Sequence, residues 1–126
     1  MGGAKGAYSV KSWKNPGEHS VSGHFTTDGA NAPTAISGKG FSVSAPTSGV
    51  YTITLADGPF ADAYDVFVHL ETRTTNSNDY AELRSLANLA TAGTFTIATQ
   101  SAAGTDANLT GPIVHFRMNL RNTART

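Results

Sequence analysis

Residues 113–120 read Ile113-Val114-His115-Phe116-Arg117-Met118-Asn119-Leu120, and this stretch decides the fold. Val114, Phe116, Met118 and Leu120 take every second position; His115, Arg117 and Asn119 fill the places between. Successive side chains of a strand point to opposite faces, so this pattern makes a strand with one dry and one wet face. An amphipathic helix would need apolar positions three and four apart.

The same device recurs on both sides. Val50-Tyr51-Thr52-Ile53-Thr54-Leu55 turns Tyr51, Ile53 and Leu55 inward and two threonines outward, and Thr94-Phe95-Thr96-Ile97-Ala98 repeats it with Phe95 and Ile97. Between them, Tyr64–Arg73 sets Val66, Val68 and Leu70 against Asp65, Phe67, His69, Glu71 and Arg73. Phe67 stands out there as an aromatic on a polar face, which marks that face for contact with a second sheet or a second subunit. Further strands are expected at Tyr8–Trp13, Val21–Phe25 and Phe41–Ala45. Asp79–Ala90 carries Leu83, Leu86 and Leu89 at three-residue spacing, which suits a short helix capped by Asp79 or a strand broken near Ala87. Its neighbours are strands, and strand is the favoured reading.

Turn residues punctuate these runs: Asn15-Pro16-Gly17, Asp28-Gly29, Gly38-Lys39-Gly40, Ser48-Gly49, Asp57-Gly58-Pro59 and Gly111-Pro112. Regular spacing of this kind predicts seven or eight strands in an all-β, jelly-roll-like two-sheet antiparallel sandwich, with longer loops at residues 26–39 and 99–111. An immunoglobulin-like sandwich is the rival, but the chain has no cysteine for its core signature. Residues 1–14 read as an extended N-terminal arm with a possible first strand, and residues 15–126 as the sandwich domain.

The 126 residues suit one domain with a real core. Without cysteine there is no disulfide, thiolate metal site or cysteine nucleophile. No apolar run nears the ~18 residues of a membrane helix, and the first residues lack the apolar core of a secretory signal, so synthesis as a soluble cytoplasmic product is expected. Net charge is zero but unevenly spread. Lys5, Lys11 and Lys14 open the chain without an acid, and Arg117, Arg121 and Arg125 close it without one. All nine acids lie between Glu18 and Asp106. Basic ends of this kind suit an acidic protein surface, while so few dispersed cations do not make a nucleic-acid face.

A search for chemistry yields little. His19 and His24 are five apart, which puts them on opposite faces of a strand and argues against zinc. His69 and Glu71 share a face, as a solvated or interfacial polar surface does, and His115 reads the same way. Asp57, Asp62 and Asp65 lie near a turn but lack the spacing of a calcium loop. There is no G-x-S-x-G elbow and no phosphate-cradling glycine loop. No catalytic residue, metal ligand or cofactor is assigned, and the chain is expected not to be an enzyme. One aromatic and carboxylate group, Asp57, Phe60, Asp62 and Tyr64, fits a glycan-binding loop end.

Several strings go further. Gly38-Lys39-Gly40-Phe41-Ser42-Val43, Gly49-Val50-Tyr51-Thr52-Ile53-Thr54-Leu55, Gly93-Thr94-Phe95-Thr96-Ile97 and Val114-His115-Phe116-Arg117-Met118-Asn119-Leu120-Arg121-Asn122 follow one another in this order. This layout resembles that of small tailed-bacteriophage virion proteins of the capsid decoration (cement) and head-fibre type, over roughly residues 8–122. The resemblance implies a jelly-roll module on the outer surface of the head. Its partners would be the major capsid protein and further copies of itself, a trimer rather than a dimer, with neither nucleic acid nor membrane. A head-fibre or tail-appendage module that binds a host receptor or glycan is the alternative. On this reading Lys5, Lys11, Trp13, Lys14, Arg121 and Arg125 are the expected capsid contacts, and Phe67, His69, His115 and Arg117 the expected subunit interface.

Overall fold

The fold follows from a computed structural model that describes residues 18–59, 63–76, 78–101 and 104–122, with the backbone alone at 18, 19, 63–65, 121 and 122. Those residues form strands and no helix: β1 (Glu18–Asp28), β2 (Ile36–Gly38), β3 (Phe41–Val43), β4 (Val50–Leu55), β5 (Ala63–Arg73), β6 (Tyr80–Ser85), β7 (Thr94–Ser101), β8 (Thr105–Asp106) and β9 (Thr110–Asn122). Strands β2-β1-β9-β5 make a four-stranded sheet. Strands β3-β4-β7-β6 make the other, with β8 paired to the end of β7. Every pairing is antiparallel.

The two sheets stack through the faces that the alternation marks. Val21 and Phe25 of β1 and Val114, Phe116, Met118 and Leu120 of β9 meet Tyr51, Ile53 and Leu55 of β4 and Phe95 and Ile97 of β7 in one buried cluster. Rings lock the layers together: Phe25 lies 5.2 Å from Tyr51, and Phe116 packs edge-on against Phe41 at 4.8 Å and Phe95 at 5.8 Å. Val66, Val68 and Leu70 of β5 flank this core. The two-sheet antiparallel sandwich expected from the alternation is therefore the fold.

Details differ from the sequence reading, each for a local reason. Gly111-Pro112 does not close a turn but lies inside β9. It forms a bulge: Thr110 pairs with Asp28 and Ile113 with Thr26, so two residues oppose Thr27 alone. A bulge tolerates the missing proline N–H, and the buried Thr27 hydroxyl donates to the Pro112 carbonyl at 3.1 Å. Short strands β2 and β8 occupy parts of the segments expected to be loops. Asp79–Ala90 is a strand as favoured, but only to Ser85; beyond it the Asn88 carbonyl accepts from the N–H groups of Ala92 and Gly93 and turns the chain. The expected strand Tyr8–Trp13 lies outside the described residues.

Ser48 and Gly49 join Thr47 to Val50 in a two-residue hairpin, with backbone hydrogen bonds in both directions at 3.0 Å. Both turn residues have positive φ, 49° and 83°, the handedness that matches strand twist. The turn is pinned from outside: the Asn108 side-chain oxygen accepts from the Gly49 N–H at 2.6 Å, and the Gly49 carbonyl accepts from the Thr99 N–H at 2.8 Å.

Candidate subunit interface

The outer face of the four-stranded sheet is built from the polar half of the same alternation. Strand register sets its residues in rows across β1, β9 and β5. Ser20, Asn119 and Phe67 form one row, and Ser22, Arg117 and His69 the next. His24, His115 and Glu71 follow, then Thr26, Ile113 and Arg73. Ser37 of β2 extends the His24 row. A depression of about 420 Å³ runs over Ser22, His24, His69, Glu71, His115 and Arg117.

His24 and His115 meet at its floor, ring centroids 4.6 Å apart and planes tilted by 38°. The His24 Nδ1 atom is buried there without a hydrogen-bond partner among the described residues. Loss of hydration holds the His115 pKa below the usual imidazole value; His24 and Arg73 push the same way and Glu71 opposes them. The His115 ring is thus neutral at neutral pH. Around the depression the groups are wet. Arg73 Nε lies 4.0 Å from a Glu71 carboxylate oxygen, and Arg117 joins no ion pair among the described residues. The Ser20 hydroxyl donates to Asn119 Oδ1 at 2.6 Å. Phe67 is 64% exposed, the most of any large apolar side chain among the described residues.

A second polar group sits on the outer face of the other sheet and fastens β8. Arg84 of β6 grips both carboxylate oxygens of Asp106, at 2.9 and 2.7 Å, and donates to Glu82 at 3.2 Å. Gln100 donates to Asp106 at 2.8 Å and accepts from the Tyr80 hydroxyl. The Arg84 guanidinium, then Gln100, hold the Asp106 carboxyl down at about 2. Every member serves another member, and this closed set reads as a strand latch.

The expected interface residues Phe67, His69, His115 and Arg117 fall on adjacent rows of the single face described above. His24 also lies on this face, which the sequence hides because its nearest histidine along the chain is His19. Its true neighbour is His115 across the strand pair. Of the expected capsid contacts, Arg121 lies on β9 opposite Glu18 and Asp65 in the backbone register, while Lys5, Lys11, Trp13, Lys14 and Arg125 lie outside the described residues. So do Phe60 and Asp62 of the glycan-site reading. Among the described residues no group of three or more His, Cys, Asp or Glu is placed to hold a metal ion. Comparison with protein-family models, with curated proteins and with solved structures finds no match to this chain.

Proposed function

We propose that this chain is a capsid decoration protein of a tailed bacteriophage, a non-catalytic module that binds the outside of the head as a homo-oligomer and ties neighbouring capsomers together. The observation that carries this reading is the pairing of the first and last described strands. Glu18 lies opposite Arg121, so the chain enters β1 and leaves β9 at the same end of one sheet. The sequence that carries Lys5, Lys11 and Lys14 therefore leads into the same end of the sheet at which Arg121 lies, with Arg125 four residues further on. On this reading the basic segments that join those strand ends are the feet that meet an acidic capsid surface. Several such feet on one oligomer bind by avidity, so each contact can be modest. The sandwich is read as jelly-roll in kind, since its first and last described strands are central neighbours and the chain passes repeatedly from sheet to sheet.

Immunogold electron microscopy of virions from the source of the gene, with an antibody to the recombinant chain, tests the location. Label over the head shell is the expected result. Label confined to tail or fibre tips would refute decoration and favour the appendage reading. Removal of residues 1–14 should abolish binding to isolated heads and leave the β-sheet circular dichroism unchanged.

A further inference from the structure

His24 of β1 and His115 of β9 are register partners on the two central strands of the four-stranded sheet, and their ring centroids lie 4.6 Å apart. Among the described residues no hydrogen bond holds either ring, and the His24 Nδ1 atom is buried without one. We infer that this pair is a two-nitrogen chelate for a divalent transition ion of the copper kind, which staples the first described strand to the last.

Distance is the first argument. An imidazole nitrogen binds such an ion at about 2.0–2.1 Å and lies about 1.2 Å from its own ring centre, so two rings that share an ion at a right angle have centres roughly 4.5–4.7 Å apart. A tetrahedral angle would spread them to roughly 5.2–5.4 Å. The observed 4.6 Å falls on the right-angle value. Strand pairing already sets the two residues directly opposite each other, so ring rotation alone brings one nitrogen of each to a common point. The depression of about 420 Å³ above the pair has room for the ion and its remaining water ligands.

The donors then choose the ion. Two nitrogens at a right angle, with water in the other places, make the tetragonal arrangement of Cu²⁺ and Ni²⁺, and copper heads the affinity order of the divalent series. Structural zinc takes four protein ligands. Among the described residues no third His, Cys, Asp or Glu completes a group with this pair, so zinc should bind weakly. Charge selects in the same direction. Glu71 stands in the same row as the pair, with Arg73 and Arg117 in the rows on either side. One carboxylate against two guanidinium groups does not attract a cation. Affinity must come from nitrogen donation, which copper gains most from and a hard ion such as Ca²⁺, a seeker of oxygen donors, gains least from.

Electron paramagnetic resonance and calorimetric titration of the full chain with Cu²⁺ test this, beside His24→Gln, His115→Gln and the control His19→Gln. The expected result is one copper with two imidazole nitrogens in its equatorial plane. Once one ring holds the ion the other binds intramolecularly, so loss of either ring should raise the dissociation constant about a hundredfold. His19→Gln should bind as wild type does. Copper should raise the thermal midpoint of wild type and of His19→Gln and leave that of the other two variants unchanged, because the staple joins β1 to β9. Ca²⁺ should change neither signal. Circular dichroism in the presence of a chelator should give the same β-sheet spectrum for all four proteins, and the wild-type resonance spectrum reads the donor set even where a variant fails that check. Copper held by the terminal amine and backbone amides, binding that survives His115→Gln, or no binding by the wild type would overturn the chelate.

Discussion

Replacing Gly49 by alanine should destabilise the sandwich far more than the same change at Gly40. The two glycines have nearly the same positive φ, 83° and 86°, so both carry the left-handed strain of placing an L residue there. That strain is about 1 kcal/mol. The surroundings differ. A Cβ at position 40 meets nothing within 4 Å. At position 49 it would sit 2.6 Å from the Ala107 nitrogen, 2.7 Å from the Ala107 oxygen and 2.9 Å from the Thr99 oxygen. These are backbone atoms, which cannot swing aside as a side chain can. Either the chain at Ala107 moves or the bonds that hold Gly49 to Thr99 and Asn108 lengthen. Overpacking of this kind costs about 1–3 kcal/mol beyond the shared strain. Guanidinium denaturation of both variants isolates that difference, since the conformational part cancels. In thermal melts it amounts to roughly 4–12 °C for a domain of this size. Equal midpoints for Gly49→Ala and Gly40→Ala would refute the claim that the 107–108 segment is clamped onto the hairpin.

Tyr51→Phe should raise stability by about 1 kcal/mol, because the buried Tyr51 hydroxyl has no hydrogen-bond partner among the described residues and its removal leaves the ring packed against Phe25. Burial, with Asp28 nearby, pushes that hydroxyl up to about 12, so it stays protonated; a lower urea midpoint in the variant would show that the hydroxyl is served after all. Asp106 should make the latch acid-labile. Its carboxyl sits at about 2 in the fold, below the ordinary carboxylate value of 3.8, so its contribution is full above pH 4 and fades as pH falls toward 2. Thermal midpoints followed over that window should drop less steeply in Asp106→Asn than in wild type, and parallel slopes would count against the Arg84–Asp106 grip.

Alternation made much of this fold legible. Val66, Val68 and Leu70 inside and Phe67, His69 and Glu71 outside follow from period two alone, and so does the inward set of β9. That Phe67, His69, His115 and Arg117 share one face was legible for the same reason, since odd and even positions of one strand cannot share a face. Strands β2 and β8 were not, because three and two residues carry no period and form only where Gly23–Phe25 and Gln100–Ser101 offer an edge. The Gly111-Pro112 bulge was hidden because its residues are those of a turn. The His24–His115 contact was hidden more deeply. It depends on which strand lies beside which and in what register, a property of the four-stranded sheet as a whole.

The union of β1 with β9 also bears on how the molecule is made. Phe25 pairs with Val114, and Val21 with Met118, across almost the whole chain. On the ribosome, β1 emerges first and waits with its apolar side bare until the last thirteen-residue strand has been translated. Local hairpins such as β3–β4 form early, but the four-stranded sheet has no centre before β9 has emerged. During that interval the waiting strand is open to pairing with another nascent chain. A stop codon shortly before Thr110 would therefore take the middle out of a sheet and strand β1 and β5 apart, leaving a lone four-strand-plus-latch layer with one oily side.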